Sequence, residues 1–188
     1  MDSFDSDISF FISGHPLWFL CHGMPEAGIK RLARCLAKTA LENVPGGQIP
    51  PLSPGEVEQI LARHGYYITE TSFRNGTPRI FAWSSEEEKR IYINRGALED
   101  FLASFPEETS GPSPDIGTIR GLALAHEWFH LFFHAIPKPD EWGSLKRPAR
   151  IIAEETAARL YAAGLLQVPF SPMVLDLALR KRGGLGNE

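Results

Sequence analysis

Apolar residues fall along this chain in two rhythms, and in two stretches they leave almost no room for polar ones. LALAHEWFHLFFHA (122–135) and ARIIAEETAARLYAAGLLQVP (149–169) are apolar nearly all round a helical wheel, the mark of helices buried on most sides. The first is expected to run from about 116 to 135, where Pro137 and Pro139 stop it, and the second from about 149 to 166. A further helix is expected over PEAGIKRLARCLAKTALEN (25–43), ending before the loop VPGGQIPPLSP. Another follows Ser53, Pro54 and Glu56, which supply a capping serine, a proline at the first helical position and a glutamate at the third. YYITETSF, PRIFAW and RIYIN alternate well enough to be strands. Asn75-Gly76 between the first two favours a hairpin there, although the pairing order is left open. GALEDFLASF reads as a short surface helix, EETSGPSPD as a loop, and 172–182 as a last short helix.

Polar residues inside the first apolar helix change the picture. Relative to His126, Glu127 lies at about 100°, His130 at about 40° and His134 at about 80° around the wheel, so all four share one stripe. Polar groups held in such a helix without partners cost about 1–3 kcal/mol each, and a bound metal ion would satisfy them. Residues four apart stand about 6 Å apart along the axis and nearly eclipsed, which lets His126 and His130 converge on one zinc ion. His134 lies about 12 Å of rise from His126, too far to share that ion, and is assigned to a second layer around the metal or to a cavity wall. Glu127 would stand beside the metal, placed to take a proton from an activated water, which is the logic of the metalloprotease motif HExxH.

A third ligand must come from elsewhere, and 149–166 offers Glu154 and Glu155. Glu155 shares a face with Ile151, Ala158 and Ala162, small enough for close helix packing, and is favoured. Glu154, with Arg150 one turn back as a partner, is the alternative. Tyr161 lies about 240° from Glu155 and is expected in the core. His15, His22 and His64 are isolated. A structural zinc would need one of the latter two as a saturating fourth ligand.

LALAHEWFHLFFH followed by EETAARLYAAGLLQVP resembles the ImmA/IrrE-type zinc metallopeptidases, and RIYIN matches the strand that precedes the motif in that family. The resemblance spans about residues 56 to 169 and is specific over the two helices. It implies an α+β, zincin-like fold with a small sheet of three or more strands, Zn2+ on His126, His130 and Glu155, and Glu127 as catalytic base. It also implies a protein substrate, with helix-turn-helix repressors as the class often associated with the family. Arg159 departs from the asparagine usual one turn after the ligand glutamate. A guanidinium there can pair with Glu155 and weaken zinc binding, or turn aside to hold substrate, and the sequence leaves both open. That departure and the short C-terminal part favour, as the alternative, a non-catalytic regulatory binding module that keeps the zincin fold.

The remaining bounds are broad. The 188 residues are expected to form one domain: an N-terminal helical extension over 1–52, a core over 53–170 and a short helical end over 171–188. A net charge of −4 gives no general attraction to nucleic acid. Cys21 and Cys35 lack metal-site or CxxC spacing and read as reduced thiols. Asp2, Asp5 and Asp7 stand where a secretory signal needs positive charge, and no apolar stretch has membrane-spanning length, so the expected location is the cytoplasm and no membrane partner is expected.

Overall fold

A computed structural model of the chain describes residues 5–21, 24–45, 47, 50–72, 80–103, 105, 114–171 and 173. The architecture is α+β. Among the described residues it has six α-helices and one three-stranded sheet: α1 (Asp5–Ser13), α2 (Glu26–Glu42), α3 (Pro54–Arg63), β1 (Tyr67–Thr71), β2 (Ala82–Ser85), β3 (Arg90–Asn94), α4 (Arg95–Leu102), α5 (Ile116–Phe132) and α6 (Arg147–Leu166). Helix α5 lies at the centre. One of its sides packs on the sheet, another on α6 and a third on α3, while α2 covers α6 and α1 touches both α2 and α6.

The helix starts follow their local chemistry. Ser53 and Glu56 close a complete capping box on α3, and the Asp115 side chain accepts from the Thr118 amide at 2.7 Å to begin α5. Two glycines permit the closest helix approaches. A Cβ on Gly121 of α5 would sit 2.9 Å from the Pro54 ring, and one on Gly164 of α6 would sit 2.7 Å from Leu41 of α2. One hydrophobic cluster runs from Ile8 and Ile12 of α1, through Leu36, Ile60, Ile93, Leu124 and Ile152, to Met173. The region read as an N-terminal extension therefore shares the core of the rest.

Two expectations need correction. The strand order is β1-β3-β2, with β1 parallel and β2 antiparallel to β3, so β1 and β2 are not hydrogen-bonded neighbours and form no hairpin. Asn75-Gly76 lies outside the described residues. The hairpin joins β2 to β3 through residues 86–89, with Lys89 at φ 52°. Burial explains the order, because Ile91 and Ile93 of β3 are fully buried and take the centre, while the half-polar YITET suits an edge. Helix α1 was not foreseen. Its Ile8, Phe11 and Ile12 recur at helical spacing and bury, with Asp5 and Asp7 at the favourable negative end. Helix α4 is the short surface helix expected, with Arg95 and Asp100 exposed and the face of Ala97, Leu98 and Phe101 buried. The helix expected over 172–182 and most of the loop EETSGPSPD fall outside the described residues.

An ion network ties the sheet to the helices. Arg120 of α5 pairs with Glu58 of α3 and, at 3.4 Å, with Glu70 of β1, and Glu70 also meets Arg95 of α4 at 3.8 Å. Helix α5 is thereby tied directly to α3 and β1, and through Glu70 to α4. No helix among the described residues is long and apolar enough to cross a membrane.

Candidate metal centre

Helices α5 and α6 bring the predicted polar groups to one point. The Nε2 atoms of His126 and His130 lie 3.1 Å apart. Glu155 of α6 presents Oε2 to His126 Nε2 at 3.6 Å and Oε1 to His130 Nε2 at 3.3 Å. The two Glu155 contacts are made by different oxygens; taking one ligand atom from each residue, the three lie within 4.8 Å of one another, close enough to gather round a single ion, although not yet at the roughly 3.3 Å spacing of tetrahedral zinc ligands. Two imidazoles and one carboxylate, with a fourth corner for a small molecule, make a donor set that fits Zn2+. All three side chains are half-buried, as a site that must exclude most water yet admit a substrate requires.

Each group outside the cluster has a defined partner. Glu154 stands outside the cluster of His126, His130 and Glu155 and turns to His130 rather than to Arg150: its Oε1 lies 3.0 Å from Nδ1 of His130, on the far side of the ring from Nε2. A carboxylate only accepts, so the Nδ1 proton points at Glu154 and Nε2 is the atom turned to the centre. Burial pushes the His130 imidazolium down, but hydrogen bonds to Glu154 and Glu155 and the charges of Glu155 and Glu127 outweigh it and raise the pKa to about 9. Burial, with the nearby charges of Arg159 and His130, holds His126 well below the ordinary histidine value. His130 thus carries a proton that its Nε2 shares with the neutral His126, at the place the ion would take.

Glu127 sits beside this pair, 8% exposed, and accepts a 2.8 Å hydrogen bond on Oε2 from the Ser84 hydroxyl of β2. Burial raises its pKa, and the Ser84 hydrogen bond opposes part of that rise. Ser84 was missed by sequence reasoning. Its signal is faint: within AWSS it alternates with Ala82 onto the sheet face that packs on α5, a hydroxyl where an apolar residue is expected.

Arg159 pairs with Glu155, its Nη1 donating to Oε2 at 2.8 Å and to the Glu155 main-chain carbonyl at 2.9 Å. Glu155 is held well below the usual carboxylate range. Burial raises it, but the hydrogen bond from His130 and the charges of His126, Arg159 and His130 more than offset this. His134 is not brought to the cluster. Helix α5 ends at Phe132 and a 3-10 turn over Phe133–Ala135 carries His134 out to an exposed position, which breaks the stripe drawn for an unbroken helix. His64 is exposed at the end of α3, His15 accepts from the Leu17 amide, and His22 lies outside the described residues. Tyr161 is fully buried, as expected of a core residue.

Comparison of the chain with protein-family models, with curated proteins and with solved structures gives no match. The functional reading therefore rests on these side chains.

Proposed function

We propose that the chain is a zinc-dependent peptidase with a zincin-like fold. One observation carries the reading: His126, His130 and Glu155 each offer a ligand atom within 4.8 Å of the others, while a buried, hydroxyl-anchored Glu127 stands next to them. Zinc held there would act as a Lewis acid, lowering the pKa of a water and polarising a peptide carbonyl. The chain's own residues do the rest. Glu127, with its basicity raised by burial, takes the proton from the water as its oxygen adds to the carbonyl carbon. It then delivers that proton to the leaving amine nitrogen as the C–N bond breaks. Ser84 fixes the carboxylate in the orientation for both transfers, and Glu154 holds the His130 ring through Nδ1. The resemblance of the two helices makes a protein substrate, and first a helix-turn-helix repressor, the one to try.

The test compares zinc content and cleavage of a fluorescently labelled unfolded protein and of such a repressor. Glu127→Gln keeps its zinc and loses cleavage by about 10²–10⁴-fold, the usual contribution of a general base, whereas His126→Ala loses the metal. Zinc retained in His126→Ala, or cleavage undiminished in Glu127→Gln, sinks the reading. A second reading, a regulatory module that keeps the fold without turnover, is favoured by the Arg159–Glu155 pair, which sets a cation against the third ligand. Under it, Glu127→Gln leaves the biological effect of the wild-type chain intact.

A further inference from the structure

The Arg159 guanidinium is fixed on three sides around a single glutamate. Nη1 bridges the Oε2 of Glu155 and the main-chain carbonyl of the same residue, so side chain and backbone are tied by one donor group. The Cζ of the guanidinium lies over the ring of Phe11, 4.4 Å from its centroid. Phe11 belongs to α1, is 2% exposed, and sits on a helix that Asp5 pins to Lys30 and Arg34 of α2. The N-terminal helix thus reaches the candidate centre through one side chain. Glu155 has its Oε1 3.3 Å from His130, while its Oε2, 3.6 Å from His126, takes the closer 2.8 Å contact from the guanidinium. A positive charge on Oε2 weakens that oxygen as a donor to a second cation.

We propose that Arg159 is a positioning residue for the third ligand: by holding Oε2 it makes Glu155 a one-oxygen donor and keeps the site four-coordinate, and Phe11 of α1 keeps Arg159 in place. This rests on the metal reading above and adds the coordination number and its control from α1.

The full chain is loaded with Co2+, whose visible absorption is strong in four-coordinate and weak in five-coordinate sites, and zinc affinity is measured against a chromophoric chelator. Wild type gives the strong spectrum. Arg159→Met frees Oε2, so the absorption falls several-fold as Glu155 binds with both oxygens, and zinc affinity rises, by about 10-fold, because the competing cation is gone. Arg159→Lys restores a donor to Oε2 at helical spacing and retains the wild-type spectrum. Phe11→Leu, which preserves apolar bulk and removes the aromatic face, moves the spectrum part of the way. Circular dichroism establishes that each variant is folded. An Arg159→Met spectrum equal to wild type overturns the proposal, as does loss of metal from that variant, and an unchanged Phe11→Leu overturns the role of α1. A wild-type chain that binds no cobalt overturns the metal reading itself.

Discussion

The seam between α5 and α6 has two halves of opposite character. In one, His126 and His130 face Glu154, Glu155 and Arg159, and every polar group meets another within hydrogen-bond or ion-pair distance. In the other, Trp128, Phe129 and Phe132 pack around the ring of Tyr161 at centroid distances of 5.5–6.3 Å, and the Tyr161 hydroxyl is buried without a partner among the described residues. The polar half is a network in which each group depends on its neighbours, so loss of one leaves others uncompensated. The aromatic half draws its stability from area and shape and tolerates an unpaired oxygen. Variants that touch one half should therefore have different signatures from variants that touch the other.

The largest such effect is a pH dependence confined to the polar half. His130 has an ordinary value of 6.5 and rises to about 9 in the folded chain, so its contribution is fully present below about 6.5 and is lost as pH climbs through 9. At about 1.4 kcal/mol per pH unit that is at most about 3.5 kcal/mol of stability, less what solvent screening of a half-buried group removes. Urea unfolding of the metal-free protein at pH 6 and at pH 9.5 measures it, with lower stability expected at the alkaline end. Zinc-saturated protein should lose this decline, and zinc binding at pH 7 should release about one proton, seen as a buffer-dependent heat. A flat profile for the metal-free protein breaks the idea that the two halves differ in kind.

Glu154→Gln sharpens it further. The amide keeps the size of the side chain and removes the charge on Nδ1 of His130, so zinc affinity should fall by about 10–100-fold, as for other partners of ligating histidines. The alkaline loss of stability should also move to lower pH, because one cause of the raised His130 value is gone. Chelator competition beside the unfolding profile reads both, and a variant that binds zinc as wild type removes Glu154 from the centre.

How much of this was legible in the sequence follows the same division. The two apolar helices, the capping box at Ser53 and the strand RIYIN were readable because periodicity and local hydrogen bonding decide them. His126, His130 and Glu155 followed from spacing on one helix and a small-residue face on another. The sheet order was not readable, since which of three short strands takes the centre depends on burial contributed by α5 from far along the chain. Glu154 was placed on Arg150 because a helix wheel shows neighbours one turn away and cannot show a histidine on another helix. Ser84, Phe11 and the pose of Arg159 are contacts between distant segments, and His134 was misplaced by a helix end that periodicity alone overran.

The smallest effect belongs to the aromatic half and has the opposite sign. Tyr161 is fully buried among rings, its Oη has no hydrogen-bond partner among the described residues, and burial pushes its pKa well above the ordinary tyrosine value. An unpaired buried hydroxyl costs about 1–3 kcal/mol, and its removal leaves only a small void, whose cost offsets part of the gain. Tyr161→Phe is therefore expected to stabilise the protein by about 1 kcal/mol, or about 2–4 °C in Tm for a chain of this length, with zinc content and the pH profile unchanged. A loss of stability would mean that a buried water or an unrecognised acceptor holds this oxygen, and the aromatic half would then be another hydrogen-bonded network rather than a dry counterpart to the metal centre.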